Sequence, residues 1–195
     1  MTLLSKSLRN TALAALIGAA GLSLPANAAN YAIDPVHTSI GFKIGHLGFA
    51  FLTGRFDTFE GNYSFDADAP GQSQVSVKID TASVNTNFTE RDNHLRSNDF
   101  LAVGDFPEAT FVSKSIEVTG EETGIITGDL TLRGVTREVA IEAAFVGAGE
   151  DPWGGHRSGF QGSTKIALAD YGIDFDLGPS GREVELILNI EGIRQ

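Results

Sequence analysis

The chain has no cysteine among its 195 residues and is poor in positive charge. The missing cysteine excludes disulfide bridges and a thiolate nucleophile. Its 14 lysines and arginines are outnumbered by 25 aspartates and glutamates, which gives a formal net charge of -11 at pH 7. Such a surface repels nucleic acid and anionic lipid headgroups. We therefore expect no nucleic-acid partner and no attachment to a membrane through a basic face.

Motifs of the common catalytic and cofactor sites are also missing. The chain has no G-x-S-x-G turn and no G-x-x-x-x-G-K-[ST] phosphate loop. Its four histidines, His37, His46, His94 and His156, lack the H-x-x-x-H spacing of a helical zinc site. We therefore predict no metal site, no cofactor and no catalytic constellation.

The N-terminus has the pattern of a secretory signal. Lys6 and Arg9 form a basic start, residues 11–24 form an uncharged apolar run, and an A-N-A cleavage site ends at Ala28. The apolar run is too short and too rich in alanine and glycine for a comfortable membrane span, and no comparable run follows. A retained N-terminal anchor is the alternative interpretation.

We predict that residues 1–28 are a signal peptide removed on export and that residues 29–195 form a single domain. The short signal suggests a bacterial periplasm, and no stable membrane insertion is expected. The mature chain is long enough to bury a core without covalent crosslinks. The sequence leaves the oligomeric state open, with a homodimer among the alternatives.

Most of this chain alternates between apolar and polar residues with a period of two, which is typical of half-buried antiparallel strands. The clearest rows are Ile40, Phe42 and Ile44; Val75, Val77 and Ile79; Ile126, Leu130 and Leu132; Val139, Ile141 and Phe145; Phe160, Thr164 and Ile166; Val184, Leu186, Leu188 and Ile190. No long helical segment interrupts these rows, so parallel crossovers are not expected. The pattern predicts an all-β fold, a closed antiparallel β-barrel of about eight strands.

Glycines interrupt the apolar rows at positions that should face the interior. Gly128 and Gly162 occupy such positions, and Gly54 is a third candidate. Missing inward side chains leave volume for a ligand, although strand glycines also mark bends at barrel corners. From the residues alone, a barrel with a cavity and a barrel or sandwich filled by its own side chains both remain open.

One charge-dense segment breaks the strand pattern and predicts a short helix near residues 89–97. Thr89 is placed to cap its N-terminus, with Asp92 as the reciprocal partner of a capping box. Pro107 prevents continuation further along the chain. We expect Asp92 and Asp99 to form ion pairs with the neighbouring guanidinium groups.

The same segment carries a family resemblance. The chain contains, in order, IDPVHTSIGFKIGHLG, GRFDTFEG, RDNHLRSNDF followed by FPEATF, GDLTLRGVTREV and GFQGSTKIALADYGID. Together these motifs resemble those of the YceI-like family, periplasmic lipocalin-like barrels that bind polyisoprenoids and other lipid-like molecules. The resemblance covers nearly the whole mature chain. Leu101 and Leu168 depart from it, because the family often has an aromatic residue and an arginine there.

The resemblance implies a hydrophobic channel and, with it, the periplasmic binding of an isoprenoid-like or fatty-acyl lipid, with a quinone or a prenyl phosphate among the candidates. We expect Arg91 and His94 to be the candidate contacts of a polar head, since they lie three residues apart on one helix face. The predicted apolar lining consists of Phe42, Ile44, Phe56, Val77, Ile79, Phe88, Phe100, Phe106, Leu130, Leu132, Ile141, Phe145, Phe160, Ile166, Leu186 and Leu188.

Two other functions stay open at this point. One is an enzyme that acts on a lipid-like substrate through Arg91, His94 and Asp99, motivated by the clustering of ionisable side chains in one segment. The other is a filled barrel that acts only as a stress or interaction protein. We favour lipid binding without catalysis.

Overall fold

The structure, a computed structural model, describes residues 28–195. The predicted signal peptide lies outside the described residues except for its last residue. The described part contains one α-helix, α1 (Thr89–Arg96), and eleven strands. The strands are β1 (Ala29–Ile33), β2 (Ser39–His46), β3 (Ala50–Phe56), β4 (Phe59–Phe65), β5 (Gln74–Asp80), β6 (Val84–Asn85), β7 (Glu108–Val118), β8 (Thr123–Leu132), β9 (Val135–Glu150), β10 (His156–Ala167) and β11 (Glu183–Arg194).

Eight of these strands close into an antiparallel barrel. Their order is β1-β4-β5-β7-β8-β9-β10-β11, and β11 pairs back onto β1 to complete the circle. The predicted all-β barrel with one short inserted helix is therefore confirmed. The pairing of β11 with β1 joins the two ends of the eight-stranded sheet, and such closure limits edge-to-edge association in small antiparallel barrels.

Strand β11 divides its two ends between different partners. Val184 to Asn189 pair with β2, whereas Gly192 to Arg194 pair with β1. The β2–β3 hairpin therefore extends the wall at one end of the barrel, where β3 is joined to β6 through Arg55 and Phe56. This end also carries α1 and the connections from β8 to β9 and from β10 to β11.

The opposite end is closed by stacked aromatic rings. Tyr31 and Tyr63 stack with ring centroids 5.0 Å apart, and the Tyr63 hydroxyl donates to the carbonyl of Ser158 at 2.9 Å. Phe160 packs edge-on against both Tyr63 and Phe65. Burial raises the pKa of Tyr63 to about 12, so this phenol stays neutral and suits an apolar plug.

Helix α1 begins one residue earlier than the capping box requires. Phe88 is the N-cap residue and provides no side-chain cap, while Thr89 is already helical. The Asp92 carboxylate instead accepts from the backbone N–H and the hydroxyl of Thr86. The expected capping box was therefore wrong, because the preceding loop provides Asp92 with two better-placed donors. Among the described residues, no helix is both long and apolar enough to cross a membrane.

Candidate functional site: an apolar cavity in the barrel

The barrel encloses an elongated cavity of about 520 Å³, a volume within the usual range of small-molecule sites. Its wall is almost wholly aliphatic and aromatic. Of the predicted lining residues, those on this wall are Phe42, Ile44, Phe56, Val77, Ile79, Phe88, Phe100, Leu130, Leu132, Ile141, Phe160, Ile166, Leu186 and Leu188. The interior is therefore not filled by the protein's own side chains.

Two predicted lining residues lie elsewhere. The Phe106 ring covers Gly134 in the turn between β8 and β9, outside the cavity wall. Phe145 stacks on Phe65 with ring centroids 5.3 Å apart, beyond the closed end of the cavity. Phe145 keeps the inward register of Ile141 and Ala143, because the β-bulge in the β9–β10 ladder falls after it, at Val146. Its ring fills the closed end together with Phe65 and Phe160 and therefore does not line the cavity.

Other wall residues, such as Ile40, Val75 and Val184, belong to the alternating rows of the sequence, but alternation missed several positions, most of them in turns, loops and α1. These further residues include His46, Leu52, Thr86, Leu95, Ile173, Phe175 and Leu177. His46 is the last residue of β2, and Leu52 belongs to β3, whose inward register was not evident from the sequence. Leu101 and Leu168, the two departures from the family motifs, also line the cavity, so both changes keep its wall apolar.

The strand glycines leave less volume than the sequence suggested. A Cβ on Gly128 would lie 2.5 Å from the Val112 carbonyl oxygen and 2.6 Å from the Phe111 ring. The ring of Phe42 covers Gly54 in the same way. These two glycines let aromatic rings lie flat against the sheet, and the expectation of empty space beside them was wrong. Gly162 differs, because it lies on the cavity wall.

Arg91 lies on the cavity wall and is tied to one neighbour on the preceding loop. Its Nε donates to the Thr86 hydroxyl at 2.7 Å, and its Nη2 donates to the Thr86 carbonyl at 2.8 Å. The guanidinium also lies over the Phe88 ring, 5.6 Å from the ring centroid. Asp92 binds Thr86 from the other side rather than a guanidinium, which corrects the expected ion pair. The hydrogen bonds to Thr86 thus hold the positively charged guanidinium of Arg91 at the cavity wall.

His94, one helical turn further on, is covered on part of its surface by aromatic rings and is otherwise exposed. Its Nε2 lies 2.9 Å from an Asp99 carboxylate oxygen, so Asp99 also pairs with a histidine instead of an arginine. The rings of Phe100 and Phe175 pack edge-on against the imidazole, at 4.9 and 5.1 Å between centroids. The structure therefore brings Arg91 and His94 to the same region of the cavity, as their spacing predicted.

Two further arginines hold the loops in place at the end of the barrel that carries α1. Arg96 donates to the carbonyls of Ala82 and Val84, both at 2.7 Å, and anchors α1 to the segment before it. Arg133, in the turn between β8 and β9, donates to the carbonyls of Asn98 and Gly172. These side chains bind backbone oxygens of the loops around the cavity, so they have a structural role.

The cavity reaches the surface at the end that carries α1. Phe88 and Phe175 both line it and are exposed to solvent, and His46 lies on the same rim. At the other end Tyr31 and Tyr63 are buried. We call the open end the mouth; its rim is formed by His46, Phe88, His94 and Phe175.

A cluster of ionisable groups lies at the closed end, away from the cavity. Oxygen and nitrogen atoms of Asp34, His37 and Glu191 lie within 4.8 Å of one another. The sequence did not predict this cluster, because Glu191 is far from Asp34 and His37 along the chain. The Arg157 guanidinium already occupies the space between them, with its Nη1 2.6 Å from Asp34 and 2.5 Å from Glu191. The same guanidinium binds Asp151 through Nε at 2.8 Å. The cluster is an ion-pair network rather than a metal centre.

Comparisons with known proteins agree with this architecture. A family model described as the YceI-like domain matches residues 31–192. A UPF0312 protein of Ectopseudomonas mendocina (strain ymp) is 54% identical over 190 residues, which are 96% of this chain and 100% of that protein. The crystal structure of the Campylobacter jejuni YCEI protein is similar with a TM-score of 0.70 at 30% identity, covering 83% of this chain and 96% of that chain.

A third similar protein is a polyisoprenoid-binding domain from Saccharophagus degradans. Its structure covers 86% of this chain and 99% of its own, with a TM-score of 0.63 and 17% sequence identity. At that identity the likeness concerns the fold.

Proposed function

The chain belongs to the YceI-like domain family, and on that basis we propose that it binds and carries one long apolar lipid chain inside the barrel. The lipid is isoprenoid-like or fatty-acyl, and carriage takes place in the bacterial periplasm after removal of residues 1–28. The observation that carries the proposal is the apolar cavity of about 520 Å³, open at the mouth and closed by aromatic rings at the other end.

Burial of a hydrocarbon chain supplies enough free energy for this task. Each buried methylene contributes about 0.8 kcal/mol of gross transfer free energy. Ten methylenes give roughly 8 kcal/mol before the ordering of the chain and the loss of its translational freedom are subtracted. No polar contact is required for binding, which agrees with a wall that offers few hydrogen-bonding groups.

The cavity volume indicates how much of a chain is enclosed. At about 30 Å³ per water-sized group, 520 Å³ holds roughly 17 such groups, or about three to four isoprene units. A longer polyisoprenoid would then project from the mouth, with its first or last units in contact with the rim. In this proposal Arg91 on the cavity wall and His94 at the rim contact the polar head of such a lipid.

The proposal does not include a catalytic step. His94 and Asp99 form a hydrogen-bonded pair, and the rings of Phe100 and Phe175 pack edge-on against the imidazole. Among the described residues, no serine or threonine hydroxyl is hydrogen-bonded to the His94 ring to act as a nucleophile. The pair is better suited to hold the aromatic rim in place.

Native mass spectrometry of the protein purified from its own host tests the proposal. We expect one bound apolar lipid per chain. After removal of that lipid, the protein should take up a C15 or C20 prenol or a C16 fatty acid. Recovery without any apolar ligand, together with no uptake of any of these chains, would contradict the proposal.

Two neighbouring residues of β11 provide a matched pair of variants. Leu186 lies on the cavity wall, whereas Ile187 alternates to the outer face of the barrel. Leu186→Gln places an amide that loses its water when the lipid enters, a cost of about 1 to 3 kcal/mol. We expect prenol affinity to fall about tenfold or more for Leu186→Gln and to stay unchanged for Ile187→Gln. Equal affinities for the two variants would mean that the lipid binds outside the cavity.

A further inference from the structure

The hairpin between β2 and β3 has an unusual tip. Phe49 donates its backbone N–H to the His46 carbonyl at 2.9 Å, and both central residues have positive φ, 52° at Leu47 and 78° at Gly48. This is a type I′ turn, whose first central position favours Asn, Asp or Gly. A leucine there is held in the left-handed region, which disfavours residues with bulky side chains. Because Leu47 is also 60% exposed, its side chain gains little from burial in the fold.

The strained leucine has two exposed phenylalanines beside it. Phe49 is 87% exposed and Phe51 is 69% exposed, which are high values for large apolar side chains. Single exposed apolar residues are ordinary on protein surfaces, but a contiguous group marks an interaction site. We define Leu47, Phe49 and Phe51 as the hairpin tip. Local strain combined with exposure indicates that these side chains serve a contact outside the chain.

The hairpin tip is next to the mouth. The backbone N–H of Gly48 donates to the Ser180 hydroxyl at 3.1 Å, which ties the turn to the loop that carries Phe175. Phe175 and Phe88 are both exposed and line the cavity. An apolar surface therefore extends from the hairpin tip over the rim and into the cavity.

The segment around the hairpin tip differs from the rest of the molecule because it carries no acidic residue. Residues 35–56 contain no aspartate or glutamate, although the chain has 25 of them and a net charge of -11. Lys43 lies over the Phe51 ring, with its ammonium 5.2 Å from the ring centroid, and pairs with Glu185 at 2.7 Å. The hairpin thus contributes no acidic side chain of its own to an apolar surface, and Lys43 offsets the charge of the adjacent Glu185. The acidic body still disfavours a strongly anionic surface.

From these observations we infer that the hairpin tip docks the mouth onto a zwitterionic phospholipid surface. Leu47 and Phe49 enter the boundary between headgroups and acyl chains, where apolar side chains beside a lysine are well accommodated. The mouth then faces the bilayer, so that a lipid can pass between membrane and cavity along apolar surface. The contact is peripheral and reversible, because only one turn enters the membrane. It goes beyond carriage of a lipid in the cavity.

Flotation of the full-length mature protein with phosphatidylcholine vesicles tests the inference. The double variant L47N/F49S removes the apolar tip, and asparagine suits the left-handed position, so the variant should fold. We expect its fraction bound to vesicles to fall at least tenfold. The control W153S removes an exposed aromatic residue from the connection between β9 and β10 at the closed end, and its binding should equal that of the wild type.

A fluorescence measurement locates the contact. In the variant F49W/W153F the only tryptophan lies at the hairpin tip. We expect its emission to shift to shorter wavelength when phosphatidylcholine vesicles are added. With vesicles rich in anionic lipid, we expect weaker binding that recovers as salt is added, because salt screens the acidic body.

Three results would overturn the inference. They are a wild type that does not float with vesicles, an L47N/F49S variant that floats as well as the wild type, and an exposed tip shown to be covered by a second copy. Light scattering detects the last case as a wild-type dimer and a monomeric L47N/F49S variant. Prenol uptake from solution keeps the two proposals separate: the variant should retain it, and failure of uptake in every protein would count against the cavity and not against the docking.

Discussion

Single glycines decide where aromatic rings lie in this barrel. Gly128 accommodates the Phe111 ring, whereas Gly162 lies on the cavity wall, where an added Cβ would first meet a methyl group of Ile141 at 3.0 Å. The two positions are indistinguishable in the sequence pattern, because both interrupt an apolar row. Their difference follows from which cross-strand neighbour has a ring long enough to cover the glycine.

Alanine at these two positions should therefore have unequal effects. For Gly128→Ala we expect a loss of about 1 to 3 kcal/mol in the free energy of unfolding, because the new methyl meets the Val112 carbonyl and the Phe111 ring. For Gly162→Ala we expect a smaller loss, since a methyl group facing a cavity can be accommodated. Urea unfolding monitored by circular dichroism measures both. Equal losses would mean that Gly162 is also a packing glycine.

Asp34 is the residue whose charge the fold depends on most clearly. The hydrogen bond from His37 holds the pKa of this buried carboxyl far below its ordinary value; burial opposes the shift, and the Arg157 guanidinium adds to it. Since the pKa is lowered in the folded state, the stabilisation is fully present above the ordinary aspartate value. This stabilisation is lost as the pH falls through the lowered pKa that Asp34 has in the folded protein. Asp34 should therefore stabilise the barrel throughout the neutral range.

For Asp34→Asn we expect a loss of about 1.5 to 3 kcal/mol in the free energy of unfolding at pH 7, the usual cost of losing a hydrogen bond to a charged group. The loss should shrink at strongly acidic pH, where the wild-type carboxylate also becomes protonated. Thermal unfolding of both proteins across pH 2 to 7 measures the difference. Asp68→Asn, at an exposed aspartate in a turn, is the control and should leave the curve unchanged. A difference independent of pH would show that the shape of Asp34, not its charge, matters.

Helix α1 shows how far sequence reasoning reaches at the level of one element. The charge-dense segment predicted a short helix near residues 89–97, and the helix is present at Thr89–Arg96. Its contacts were not predictable, because Thr86, which binds both Arg91 and Asp92, precedes the helix and has no distinguishing pattern. Side-chain partners across a loop depend on backbone geometry that composition does not encode.

For the strands, too, the sequence predicted some features and not others. Strict alternation predicted the inward rows of β2, β5 and β11, because the side-chain period of a strand is two. It also placed Phe145 on the correct, inward face, but it could not show that this ring packs against Phe65 and Phe160 at the closed end instead of lining the cavity. The cavity residues Phe175 and Leu177 lie in the connection between β10 and β11, where apolar residues do not alternate, so no pattern identified them. The barrel and most of its wall could thus be predicted from the sequence, whereas the mouth required the structure.

Arg91 of α1 provides a test of headgroup recognition. Arg91→Gln removes the positive charge at the mouth and keeps an amide that can still bind Thr86. If the guanidinium contacts a polar head, the affinity for a prenyl phosphate should fall by about 1.5 to 3 kcal/mol, roughly ten- to a hundredfold. The affinity for the uncharged prenol of the same length should change little. Isothermal titration with the two ligands measures the contrast.

Arg96→Gln serves as the control for Arg91, because Arg96 donates to backbone carbonyls of the segment before α1 and does not line the cavity. Equal losses for phosphate and prenol in Arg91→Gln would mean that Arg91 only shapes the rim. A specific loss for the phosphate in both variants would instead indicate a general effect of charge at this end of the barrel.

The barrel has one open and one closed end, and we therefore expect the length of the cavity to limit the length of the lipid chain that it encloses. A lipid that enters at the mouth must stop at the plug of Tyr31, Tyr63 and Phe160. The ionic network of Asp34 and Arg157 lies just outside the plug and ties the end of β1 to β10 there. The closed end thus limits the length of the bound chain, and the apolar rim admits the chain to the cavity.

Filling the closed part of the cavity should shorten the lipid that the protein accepts. Ala143 lies on the cavity wall and pairs across the sheet with Gly162 and Gly124. In Ala143→Phe the added ring removes the space of about six water-sized groups, or roughly one isoprene unit. We expect the preferred prenol to shorten by one unit in a binding series from C10 to C25. The stability should change by less than the roughly 1 to 3 kcal/mol of an overpacked core, because the ring enters empty space.

Ala144→Phe is the matched control, because Ala144 is the next residue of β9 and is not part of the cavity wall. Its chain-length preference should equal that of the wild type. If Ala143→Phe also left the preference unchanged, the lipid would not extend toward the plug, and the length of the cavity would not limit the ligand. If Ala143→Phe weakened all chain lengths equally while the protein stayed folded, the ring would be acting on the entry of the chain. A shift of the optimum by one unit, seen only in Ala143→Phe, would follow directly from a barrel closed at one end.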